Sequence, residues 1–244
     1  MNNDRILYED KGIIVCHKPA GIATQTARIG QADMASEITN YLKAARPDSK
    51  KPIYVRVIHR LDQPVEGILV FAKNKTAAAV LSRQAAGERM EKEYLAVVCG
   101  KEIPQSGELT DYLLKDGRTN TSRVVPSEIK GAKKAVLEYE ILEKRPLEEG
   151  DPCQLALVKI RLHTGRHHQI RVQMANAGTP LLGDHKYADE AAVAAAKRLG
   201  IKEIALCASR LAFDHPQTGK RMQFQITPEG AAFQKHFKNR AQNA

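Results

Sequence analysis

The chain has 244 residues, 43% hydrophobic and 27% charged, which fits one compact domain with a soluble surface; its longest apolar run, residues 191–196, is far short of the roughly 20 residues a membrane span needs. The first ten residues lack the basic-then-apolar pattern of a secretory signal, so a cytoplasmic location is expected. Lysine and arginine total 38 against 28 acidic residues, and this net charge of +10 favours a polyanionic partner, because each cation that meets a phosphate releases a condensed counterion.

In chain order, residues 6–8 and 12–17 read as strands, and the second ends at the turn Lys18-Pro19-Ala20-Gly21. Met34, Ile38, Tyr41, Leu42 and Ala45 fall at helical spacing, which predicts a helix over 33–46 that Pro47 stops. Residues 53–58 are strand-like. After the Pro64 and Gly67 break comes an apolar run, 68–72, with the character of a buried strand, then a helix over 75–86 ending near Gly87. Residues 92–98 alternate as a strand, with Tyr94, Ala96 and Val98 on one face. Residues 135–142 are a further strand candidate, and 143–152, with Pro146, Gly150 and Pro152, reads as a surface loop.

Residues 154–163 alternate clearly. Thr164-Gly165-Arg166 then turns into a helix over 167–177, with Gly178 as its stop and Pro180 beyond. An alanine-rich helix over 187–199 ends at Gly200. Strands at 204–213 and 221–226 flank the polar turn 214–220, and a last helix spans about 229–238. Strands irregularly interspersed with helices predict an α+β fold, a mixed sheet with helices packed on it, rather than a regular βαβ series.

Asp62 follows a strand in a loop broken by Pro64 and Gly67, with Arg60 two positions before it. A carboxylate beside a guanidinium stays ionised, which suits a nucleophile or a stabiliser of positive charge and equally suits a turn cap. Residues 162–171 crowd His163, Arg166, His167, His168, Gln169 and Arg171 around a strand-to-helix turn. Backbone N–H groups and nearby cations there would suit a phosphate. The three histidines invite a metal, but no carboxylate or cysteine within the segment completes a ligand set, and no metal is expected. Tyr94, in mid-strand, reads by itself as core packing. Neither a phosphate loop nor a dinucleotide fingerprint occurs, so no nucleotide cofactor is expected. Cys16, Cys99, Cys153 and Cys207 form no C-x-x-C pair and read as reduced core residues.

Together and in order, six segments resemble the RluA-type family of pseudouridine synthases. They are residues 17–21, 59–62 with 67–70, 92–98, 162–171, 178–187 and 211–219, and the resemblance runs from about residue 5 to 228. It implies a pseudouridine synthase fold with a largely antiparallel central sheet and flanking helices. It also implies a single catalytic domain over 1–244, without the N-terminal S4 RNA-binding domain of many relatives. By this resemblance Asp62 is the catalytic aspartate, Tyr94 packs on the flipped base and Arg171 pairs with Asp62. Arg60 would enter the RNA where the base has left, and Lys18, Arg166, His167 and Gln169 would contact the RNA. The implied substrate is ribosomal or transfer RNA, the implied state a monomer, and the reaction needs neither cofactor nor metal, because bonds are exchanged within one nucleotide. The sequence departs from the family's commoner pattern at Gln63, where Arg is usual, and at Val65 and Glu66, where Thr-Ser is usual. A non-catalytic RNA-binding or ribosome-assembly protein of the same fold is the alternative. A glycosidic hydrolase would need a second acid, and Glu66 is the only one nearby.

Overall fold

The computed structural model describes residues 3–26, 30–47, 52–87, 89–148 and 153–242. In chain order the elements are β1 (Ile6–Glu9), β2 (Ile13–Lys18), α1 (Met34–Ala44), β3 (Arg56–Val57), β4 (Glu66–Ala72), α2 (Lys75–Ala86), β5 (Glu91–Gly100), β6 (Ser106–Asp116) and β7 (Thr121–Val124). They continue with β8 (Lys133–Pro146), β9 (Gln154–Leu162), α3 (Gln169–Asn176), α4 (Glu190–Leu199), β10 (Leu206–Asp214), β11 (Arg221–Gln225), α5 (Ala231–His236) and α6 (Lys238–Gln242). The class is α+β with largely antiparallel pairing, as expected. No helix among the described residues is long and apolar enough to cross a membrane.

The chain forms two compact units, Met1–Lys92 with Ala208–Ile226, and Glu93–Cys207 with Thr227–Ala244. In the first, β1, β2 and β4 are adjacent and antiparallel, with Lys18 opposite Gly67 at one end of the β2–β4 ladder and Ile13 opposite Ala72 at the other. Every residue of β2 and β4 is buried. Such strands carry continuous apolar runs instead of an alternation, and residues 68–72 show it. Helix α2 lays Ala77, Ala78 and Leu81 on Ile13, Val15, Ile68 and Val70. Its start is capped by Asn74, whose side chain accepts from the Ala77 N–H, and Gly87 closes it. The hairpin β10–β11 completes this unit, its turn anchored by His215, which pairs through Nε2 with Asp10 at 2.8 Å.

The second unit holds β5, β9, β8, β6 and β7 in that spatial order, all antiparallel. Helix α3 packs Val172 against Leu113 and Ala135. The hairpin β6–β7 was not anticipated. Its residues are mostly only part-buried and its apolar positions, Leu109, Tyr112, Leu113 and Leu114, do not alternate regularly, so the sequence carries little period-two hydrophobic signal there. Two further expectations are corrected. Residues 143–146, read as loop, extend β8 by pairing with β9 past a register shift between Ile141 and Glu143; residues 149–152 of that loop lie outside the described residues. The C-terminal helix is two short helices separated at Phe237, whose φ of −139° is not helical. All four cysteines are buried, with the sulfurs of Cys99 and Cys153 2.7 Å apart.

Candidate active site

In the first unit the chain leaves β3, passes through His59-Arg60-Leu61-Asp62, and turns into β4 with Val65 N–H donating to the Asp62 carbonyl at 3.0 Å. This loop is tied to residues 18–24 at several points. The Thr24 hydroxyl donates to the Leu61 carbonyl at 2.9 Å and accepts from the Leu61 N–H at 3.1 Å. Gly21 N–H donates to the Gln63 carbonyl at 2.9 Å, and the Gln63 amide returns to the Gly21 carbonyl at 3.0 Å. Thus Gln63, the first departure from the family pattern, braces the turn beside Asp62.

Lys18 lies under this loop with no exposed surface. Its ammonium donates to the carbonyls of Pro19 at 2.9 Å, Ile22 at 2.7 Å and Gln63 at 3.0 Å, which uses all three protons. Burial lowers its pKa to about 8, while the Asp62 and Glu66 carboxylates act in the opposite direction. The expected contact of Lys18 with RNA is therefore corrected: it has no surface to offer and instead holds the turn on which Asp62 stands. Val65 and Glu66, the other departures, are both buried, and the Glu66 carboxylate lies 3.8 Å from His17 Nε2.

Asp62 is half-buried. Arg60 is exposed, and its Nη2 donates to the Gln25 carbonyl at 3.2 Å. His59 is held neutral: burial, then the Lys92 charge, push its pKa down to about 3, and its Nε2 accepts from the Val70 N–H. So the sharp turn of the His59–Asp62 segment contains one group fixed for structure, one exposed cation and one accessible carboxylate.

In the second unit Tyr94 stands in mid β5 opposite Ile160 and is 6% exposed. The turn before α3 is organised by Gln169, whose Oε1 accepts from the Thr164 hydroxyl at 2.7 Å and the Arg166 N–H at 3.0 Å, while its Nε2 donates to the Val136 carbonyl at 3.0 Å. Gln169 is buried, and its expected contact with RNA is replaced by this structural one. Arg166 is exposed, its Nε on the Lys134 carbonyl. Helix α3 begins at Gln169, two residues later than expected, because His168 takes a left-handed backbone at φ +54°.

The three histidines do not gather into one ligand set among the described residues. His163 pairs with Glu138 at 3.1 Å. His167 stacks on His168 with ring centroids 3.7 Å apart, and its two nitrogens face the Ser122 hydroxyl at 2.9 Å and Asn120 Oδ1 at 3.1 Å. Arg171 is buried and bound to Asp184 by two hydrogen bonds. Asn120, Ser122, Asp184 and Tyr187 thus belong to this site, although sequence reading assigned them no role. Asp184 and Tyr187 lay within a segment carrying the resemblance, which was their only signal.

Residues 12–176 match the family model described as RNA pseudouridylate synthase. Ribosomal large subunit pseudouridine synthase C of Haemophilus ducreyi is 32% identical over 217 residues, which cover 89% of this chain and 63% of that protein. An uncharacterized RNA pseudouridine synthase of Bacillus subtilis, YhcT, is 35% identical over 182 residues, 75% of this chain and 57% of that one. The chain therefore spans somewhat under two thirds of the length of these relatives. The solved structure of human RNA pseudouridylate synthase domain containing 4 has a TM-score of 0.72 at 23% identity, over 93% of this chain and 89% of that one, a likeness of fold.

Proposed function

This chain belongs to the RNA pseudouridylate synthase family, and on that premise we propose that it isomerises specific uridines of structured RNA to pseudouridine, with Asp62 as the catalytic carboxylate. The observation that carries the reading is that the stretch matching the family, residues 12–176, includes Asp62, Tyr94 and Arg171. The reaction breaks the bond from ribose C1′ to uracil N1 and forms one from C1′ to C5; N1 gains a proton and the C5 hydrogen leaves to water. Glycosidic cleavage builds positive character on the sugar, which an ionised carboxylate stabilises or captures. Asp62, on a turn pinned by four hydrogen bonds to Thr24 and Gly21 and by the Lys18 ammonium, meets the need for a carboxylate held in place before substrate arrives.

A uracil stacked in a helix is out of reach, so the base is flipped into the site, where Tyr94 packs on it and exposed Arg60 fills the vacated place. Arg171 is assigned to Asp62, and Arg166 and His167 to the RNA backbone. Nothing in this bond exchange needs a cofactor or metal. The Ribosomal large subunit pseudouridine synthase C relatives make ribosomal RNA the first substrate to try, ahead of transfer RNA.

The test is pseudouridine mapping of RNA from cells with and without the gene, complemented by wild type or by Asp62→Asn. One or a few sites should vanish and return only with wild type, and purified Asp62→Asn should be slower by about a thousandfold or more. Restoration by Asp62→Asn, or no lost site together with an inert purified protein, would favour the non-catalytic RNA-binding reading.

A further inference from the structure

The segment Gly183-Asp184-His185-Lys186-Tyr187 has no part in the reaction as assigned above, yet it encloses Arg171. Arg171 is 5% exposed and Asp184 2%. Arg171 Nε donates to Asp184 Oδ2 at 2.8 Å and Nη2 donates to Oδ1 at 2.6 Å, a side-on bidentate grip that fixes the plane of the fork as well as its charge. Asp184 is itself fixed. Its Oδ1 also accepts from the Lys186 N–H at 2.9 Å, and Gly183 before it packs so closely that an added Cβ would lie 2.1 Å from the Glu203 carbonyl oxygen.

Tyr187 supplies the second constraint. The Arg171 Cζ lies 5.1 Å from the centroid of its ring, within cation–π range. The Tyr187 oxygen accepts from the Ser122 N–H at 2.8 Å and lies 2.6 Å from His168 Nδ1. The proton between the phenol oxygen and His168 Nδ1 sits on one or the other according to the imidazole tautomer, and in either case the ring can neither slide nor tilt without losing a bond. His168 is held in turn by the stack on His167, which bonds Ser122 and Asn120. His168, at φ +54°, and Asn120, at φ +51°, are the only non-glycine residues with positive φ among those described, and both belong to this one network. Backbone in that region persists where the surroundings over-determine it, and it concentrates at functional sites.

A counter-charge alone would let a buried arginine persist, and Asp184 provides that. The tethered ring adds something that neutralisation does not require: a fixed pointing of the guanidinium. We propose that Asp184 and Tyr187 are positioning residues that set the plane and direction of the Arg171 guanidinium for its part in the reaction; this rests on the isomerase reading above.

The experiment is a double-mutant cycle on the purified protein, with wild type, Tyr187→Phe, Arg171→Ala and the double variant. The single-turnover rate at saturating enzyme and the Kd are measured on ribosomal RNA transcripts, with thermal midpoints alongside. Tyr187→Phe keeps the ring and loses the tether, so it should slow the reaction about tenfold while leaving Kd within about twofold. Arg171→Ala should be slower still, and adding Tyr187→Phe to it should cost nothing further, because Tyr187 acts through Arg171. Asp184→Asn, which keeps shape and one acceptor, should behave as Tyr187→Phe does, with a larger loss. Full activity of Tyr187→Phe, a loss confined to Kd, or a tenfold effect that persists without Arg171 overturns the proposal while the isomerase reading stands. A wild-type protein that forms no pseudouridine in any transcript overturns both.

Discussion

The Lys18 ammonium is the residue whose burial can be titrated. In the folded protein its pKa is about 8 and in the unfolded chain it returns toward 10.5. Between those values the unfolded chain carries a proton that the folded chain has released, so stability rises with pH across about 8 to 10.5, by at most about 1.4 kcal/mol per pH unit. Below pH 8 both states are protonated and the cost of the buried charge is constant. Lys18→Met keeps an apolar stem without the titrating group, and its denaturant midpoints should rise less steeply over that window than those of wild type. Parallel pH profiles would mean that Lys18 titrates as it does in water. Residue type told where charge and hydrogen-bonding capacity lie, not where they are used. Lys18 and Gln169 were both expected to reach RNA, but backbone carbonyls a few residues away and across the adjoining turn take their donors first.

Among the elements, the join between the Asp62 loop and β4 depends on Gly67. Its φ is +143°, and an added Cβ would lie 2.4 Å from the Ala208 Cβ and 2.6 Å from the Ala208 nitrogen. Both the backbone conformation and the packing of β4 on β10 reject a side chain there. Gly67→Ala should therefore destabilise the protein by about 2–4 kcal/mol, read as a lower urea midpoint at an unchanged m value. A shift under about 0.5 kcal/mol would show that β10 gives way easily. The strands β2 and β4 and helix α2 were legible in the sequence, since apolar runs and a helical stretch stopped at Gly87 are strong local signals, while the Asn74 cap was shown by the structure. Hairpin β6–β7 was not, because its residues earn their strand geometry from pairing with β8 more than from any pattern of their own. The start of α3 was misplaced for a related reason: the left-handed His168 is held by Tyr187 and His167, and helix propensity says nothing of either.

At the scale of the whole molecule, the charge of +10 bears on the proposed RNA partner. Counterion release makes RNA affinity fall with salt, and a residue that meets one phosphate contributes about one unit to the slope of log K against log salt. Arg166 is exposed at the turn before α3, and Arg166→Ala should weaken binding across RNA sequences and lower that slope by up to about one. An unchanged slope would place Arg166 away from the phosphates. The sequence by itself determined the α+β class, most element positions and the family, and it singled out Asp62, because apolar periodicity, turn residues and motif order are properties of neighbours along the chain. Only the tertiary structure decided that Lys18 and Gln169 brace turns, and that Asp184 and Tyr187 enclose Arg171. Those outcomes depend on which donors, acceptors and ring faces are brought within a few ångströms by strands and loops distant in sequence, and no spacing along the chain encodes that distance.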